Sequence, residues 1–214
     1  MMKYKGFYLR LFSALIRKHM REAFGKEITR RALKNAPGIY REMLAQVDDI
    51  GADNPMAGNI YMCFVLMAIW KGAEGAVTPD AFRSVIRNMV KTPMVTRMLG
   101  KRDMNRPEDV RESWKGLYEK KHWADSRPQY RDKTWDYHID ETKHRDGVYY
   151  YFTNCPLNNY ARKYGYMEIL SVCCELDYLI TEANHAVLHR EQTLASGESM
   201  CDYWVVPDQL SDPE

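Results

Sequence analysis

No charge of one sign dominates this 214-residue chain. Its 31 basic and 29 acidic residues leave a net charge of +2. Such balance argues against a dedicated nucleic-acid binder. The basic positions Lys3, Arg10, Arg17, Lys18 and Arg21 are interleaved with apolar ones, as on a helix surface. Long hydrophobic runs are missing too. The most apolar segment, Ile60 to Trp70, is too short to span a bilayer. The N-terminal apolar stretch is broken by Arg10, Arg17 and Lys18, which does not read as a secretory signal. These absences predict a cytoplasmic protein with no nucleic-acid and no membrane partner, and they leave the oligomeric state open. There is no internal repeat, no low-complexity tract and no Cys-x-x-Cys pair. Cysteines number five. In a reducing compartment an odd, unpaired set reads as thiols, ligands or core residues rather than disulfides.

What is present first is helical periodicity. Phe7, Leu11, Leu15 and Ile16 recur at helical spacing and predict a helix to about Phe24, with Gly25 as its stop. A second helix is expected over 28–47, with an interruption near Pro37. Asn54-Pro55 is a start signal, cap then proline, for an apolar helix ending near Gly72. Thr78-Pro79-Asp80 and Pro107-Glu108-Asp109 open two more. From Lys133 the period changes. Residues 134–141 alternate, Asp146-Gly147 is a turn dipeptide, and residues 148–153 are strand formers, so a hairpin is expected. Pro156 opens a short helix or turn, and a long helix is expected from about Met167 to His189. A second hairpin is expected from Gln192-Thr-Leu-Ala and Cys201-Asp-Tyr-Trp-Val-Val. The predicted class is α+β: a helix-rich N-terminal two-thirds packed on a small antiparallel sheet, made by two C-terminal hairpins joined by a helix. The expected organisation is one domain over 1–214, mainly helical over 1–130, hairpin-helix-hairpin over 131–207, and frayed over 208–214.

Four cysteines fall in the last third. Cys155 precedes Pro156 and so stands near a helix N-cap, where thiolate is favoured over thiol. It is either a nucleophile or metal ligand, or a small core residue. Cys174, Asp177, Thr181 and His185 step by three, four and four along one helical stripe. If Asp177 points inward it is a candidate base; otherwise it caps a loop or faces water. Cys201 opens the final strand after a glycine turn. Asp202 alternates with it and faces the other side. Cys63 and Cys173 read as core. Cys155, Cys174 and Cys201 with Asp177 also make up a possible tetrahedral Zn²⁺ set, with a metal-free site the alternative. His185 and His189, one helical turn apart, permit a metal pair, or else form a solvated helix end.

Three stretches carry a resemblance: Tyr149-Tyr-Tyr-Phe-Thr-Asn-Cys-Pro, Cys173-Cys-Glu-Leu-Asp, and Thr193-Leu-Ala-Ser-Gly-Glu-Ser-Met-Cys-Asp-Tyr. In these the chain resembles the L-2-amino-thiazoline-4-carboxylic acid hydrolase family of bacteria, closely over its final third. The resemblance implies a hydrolase acting on C–N bonds of a small cyclic amidine, within cysteine metabolism, giving an N-carbamoyl-cysteine-like product. Cys155, Asp177, Cys174 and Cys201 are then the catalytic candidates. Arg162 and Tyr150 are the candidates for binding substrate, Arg162 and Lys163 being the cations nearest Cys155 in sequence. No cofactor is implied beyond the zinc considered above. The closing Gly-x-x-x-Cys-Asp-Tyr is also similar to 4-vinyl reductase-like domains, which makes a small-molecule or metal sensor without turnover the alternative. A helical interaction protein with core cysteines is the third reading.

Overall fold

A computed structural model describes residues 1–209. Among the described residues, seven α-helices and a four-stranded antiparallel sheet make the fold α+β. The helices are α1 (Gly6–Gln46), α2 (Ala57–Gly72), α3 (Pro79–Val90), α4 (Pro93–Leu99), α5 (Pro107–Asp125), α6 (Pro156–Tyr164) and α7 (Met167–Ala183). The strands are β1 (His138–Ile139), β2 (Val148–Phe152), β3 (Ala186–His189) and β4 (Cys201–Pro207). The chain divides into two compact units, Met1–Thr92 with Leu157–Cys173, and Pro93–Pro156 with Cys174–Glu214. No helix among the described residues is long and apolar enough to cross a membrane.

In the first unit α1 is two helices joined at Gly25, whose φ of 78° and ψ of 174° break the helical path. Glycine adopts that conformation without the Cβ clash other residues meet. Pro37 lies inside the second segment without interrupting it, contrary to the expected break. Helix α2 is apolar on most faces and carries the core, with Ile60, Phe64, Leu66 and Met67 buried. Phe82, Val85, Ile86 and Met89 of α3 are buried as well. Helix α3 starts at Thr78, whose hydroxyl accepts from the Ala81 amide at 3.3 Å. Cys63 and Cys173 are buried, as the sequence suggests.

The second unit holds the sheet, in the order β1-β2-β4-β3. The first hairpin is β1–β2. The second is β3–β4, and β2 pairs with β4 to join them. The second hairpin begins earlier than the sequence suggests. Helix α7 stops at Ala183, and residues expected as its last turn form β3. Asn184 explains the stop. Its side-chain amide donates to the Ile180 and Leu99 carbonyls, and its oxygen accepts from the Lys101 and Arg102 amides. His185 follows with φ of 55° and turns the chain into the strand. Leu194 and Ala195, expected as strand, fall instead in a 3-10 turn over Leu194–Ser196.

Register assigns the faces. Val148, Tyr150 and Phe152 pair with Val205, Tyr203 and Cys201, so these six share one face. The Asp177 contacts described below put the C-terminal half of α7 against that face. Asp202 and Trp204 face the other way, as the alternation requires.

Candidate functional site

Asp177 sits on α7 where Cys174 and Thr181 share its stripe. Its Oδ2 accepts from Arg190 Nη2 at 2.9 Å and from the Tyr203 hydroxyl at 3.0 Å. The Arg190 side chain is 2% exposed and that of Asp177 36%. The guanidinium is thus buried, while the carboxylate keeps one side open. Oδ1 makes no hydrogen bond among the described residues, which leaves it available to a proton or a polar ligand.

Arg190 is held from several sides. Its Nε donates to the Asp202 carbonyl at 3.2 Å and its Nη1 to the Cys174 carbonyl at 3.4 Å. The guanidinium lies over the Tyr203 ring, 4.0 Å from its centroid. Burial works against its charge, but Tyr203 and Asp177 outweigh it and push its pKa above the ordinary value. Tyr203 stacks on Tyr150 at 4.7 Å and 9°. Burial, and next the Asp177 charge, hold both phenols protonated by raising their pKa values. The Tyr203 hydroxyl is therefore a donor to Asp177.

Cys155 and Cys201 lie within electrostatic reach of Cys174. Burial pushes the Cys174 thiol well above its usual value; Asp177, Cys155 and Cys201 add to this, and Arg190 opposes it. Cys201 is raised by burial too, against a hydrogen bond from the Leu194 amide to its sulfur at 3.2 Å. These two groups are thiols at neutral pH, not thiolates. Cys155 directly precedes α6, as expected, and is half-buried. The chain leading to it is fixed by Asp136, whose Oδ1 accepts from the Thr153 and Asn154 amides at 2.9 and 2.6 Å.

Other expectations fare differently. Arg162 is exposed on α6 and belongs to the first unit, whereas the cation on Asp177 is Arg190. His185 is off the helical stripe, exposed, 3.6 Å from the Asp208 carboxylate. His189 lies on β3 against Trp204, ring centroids 4.4 Å apart. Their helical pairing as metal ligands is lost because the helix ends before both. Among the described residues no group of three or more His, Cys, Asp and Glu side chains is arranged to hold a metal ion. Asp202 is buried and structural: its carboxylate accepts from the Glu191 and Gln192 amides at 3.1 and 2.7 Å.

Sequence reasoning centred on cysteine missed Arg190 and Tyr203. The signal for Tyr203 was its place two residues after Cys201, on the same strand face. Two cavities border this cluster. One of about 200 Å³ includes Tyr150 and Thr181 in its wall. The other, about 340 Å³, includes Arg190 and Tyr178.

No curated protein and no solved structure matches the chain. A family model, described as L-2-amino-thiazoline-4-carboxylic acid hydrolase, matches residues 58–205. That span covers more than half of the chain and takes in Cys155, Asp177, Arg190 and Tyr203, so the protein belongs to the L-2-amino-thiazoline-4-carboxylic acid hydrolase family.

Proposed function

We propose that the protein hydrolyses a small cyclic amidine of the 2-amino-thiazoline-4-carboxylate type to an N-carbamoyl-cysteine-like product. The observation that carries this reading is the carboxylate of Asp177. Arg190 and Tyr203 anchor one oxygen, and the other is open beside a group of thiols. Anchoring by two donors fixes the orientation of a base, and an open second oxygen gives it a proton to take.

Water attacks the ring carbon between nitrogen and sulfur through its oxygen. One of its protons passes by way of Asp177 to the ring nitrogen as the C=N bond becomes single. The new hydroxyl then becomes a carbonyl while the C–S bond breaks. The sulfur leaves with the electron pair, and the hydroxyl proton ends on it. Cys174 and Cys201, kept protonated by burial, are suited to deliver that proton and regain it from the hydroxyl. Arg190 and Tyr203 act as positioning residues through Asp177.

The test is release of free thiol from 2-amino-thiazoline-4-carboxylate, followed with a thiol reagent. The expected result is turnover by the natural chain and a drop of roughly 10²- to 10⁴-fold in Asp177→Asn, the usual worth of a general base. No thiol released at high enzyme concentration, with cysteines reduced, overturns the proposal.

A further inference from the structure

Beside the Tyr150–Tyr203 stack lies the smaller cavity, about 200 Å³. Its wall carries two cations, Arg102 and Lys120, and no acidic residue. Neither Lys120 Nζ nor the Arg102 guanidinium has a hydrogen-bond or ion-pair partner among the described residues. Like charges facing one cavity repel, and the half-burial of Lys120 removes water that would offset this, while Arg102 stays exposed. Burial lowers the Lys120 pKa, Arg102 lowers it further, and Glu119 pulls weakly the other way. An anion between the two cations relieves both costs.

The position of Arg102 is built rather than incidental. Asn184, at the end of α7, accepts from the Lys101 and Arg102 amides at 3.0 and 2.9 Å. A Cβ on Gly100 would stand 2.3 Å from the Ala183 carbonyl, so only glycine lets the segment approach that closely. The rest of the wall suits a small ring. Leu117, Val148, Ile180 and Val205 are apolar, while Ser113, Thr181 and Tyr150 bring hydroxyls. The Tyr150 hydroxyl makes no hydrogen bond among the described residues. Thr181 lies about one helical turn from Asp177, about 6 Å along α7. A compact molecule held by an anionic group in this cavity therefore reaches toward Asp177.

We propose that this cavity is a carboxylate-binding subsite. Arg102 and Lys120 receive the carboxylate of a small cyclic amino acid, and its ring lies along Tyr150 and Thr181. The assignment rests on the hydrolysis reading only for which ring is carried; the carboxylate chemistry stands on the cavity itself.

The experiment uses the full chain and thiazolidine-4-carboxylate as probe, with carboxylate-free thiazolidine as the comparison, by titration calorimetry. The carboxylate is expected to bind, and the plain ring to bind at least 10-fold more weakly. Lys120→Met and Arg102→Met should each weaken the carboxylate by roughly 10- to 100-fold, the scale of a lost charge-assisted contact. Lys115→Met, an exposed lysine on the same helix paired with Glu112, should bind as the natural chain does. A second measurement needs no variant: acetic anhydride labelling read by mass spectrometry. The probe should protect Lys120 and leave Lys115 unprotected. Equal affinity for the two rings, undiminished binding in Lys120→Met, or unprotected Lys120 overturns the assignment. Binding without thiol release would sink the hydrolysis reading alone. Thiol release indifferent to both cations would sink the subsite alone.

Discussion

The Asp177–Arg190 pair makes an asymmetric prediction about stability. Removing either partner strands the other, but the two are not equally stranded. Asp177→Ala leaves a guanidinium that is 2% exposed and cannot lose its proton. Breaking a buried pair in that direction costs about 3–5 kcal/mol. Arg190→Met leaves a carboxylate that is 36% exposed and keeps its hydrogen bond from Tyr203. Water reaches it, and the methionine refills much of the apolar stem's space. That loss should be about 1.5–3 kcal/mol, the worth of a charge-assisted hydrogen bond. Deleting both should cost less than the sum by about 1 kcal/mol or more, because the two side chains touch. Equilibrium urea unfolding of the natural chain, the two single variants and the double variant measures all four corners. The reasoning fails if Arg190→Met is the more destabilising, or if the single effects add within about 0.5 kcal/mol.

Tyr203→Phe removes one of two anchors on Asp177 Oδ2 while keeping the ring under Arg190. It should cost about 1 kcal/mol of stability and lower thiol release from the thiazoline in steady-state assays. Cys155→Ser separates attack by water from attack by the thiol. Attack by water predicts activity within about tenfold of the natural chain, whereas a loss of several orders would mean a covalent intermediate. The raised pKa values of Cys174 and Cys201 predict a pH dependence. Above the ordinary thiol value of 9.0 the unfolded chain releases these protons first. Folded stability, fully present below that value, then falls as pH rises, by up to about 1.4 kcal/mol per pH unit for each thiol. Urea unfolding between pH 8 and 10 checks this, and a Cys174→Ala, Cys201→Ala variant should show a shallower decline.

Much of the local structure was legible because its causes are local. Thr78 and Pro79 start a helix with groups two and three residues apart. Gly25 breaks one through its own φ. The stripe of Cys174, Asp177 and Thr181 followed from helical pitch alone. The end of α7 was not legible. Nothing near Asn184 in sequence announces that its amide will bind the 99–102 segment, some 80 residues away. With that anchor hidden, His185 and His189 looked like a helical pair. Arg190 was hidden for a related reason: a charged residue after a strand reads as solvated until its partner is known.

By itself the sequence determined the α+β class, most helix starts, the glycine break and the family motifs. These depend on periodicity, capping and residue identity, which act over a few neighbours. The tertiary structure decided which charges pair. Strand register put Tyr150 beside Tyr203 and Cys201 beside Phe152. Packing of the C-terminal half of α7 on that sheet face then gave Asp177 its arginine and its tyrosine, and brought Cys174 within electrostatic reach of Asp177, Cys155 and Cys201. Burial, a property of the folded chain alone, fixed the protonation of those thiols and phenols. A carboxylate is anchored in this way only when groups distant in sequence come together to hold it, and no local pattern encodes that meeting.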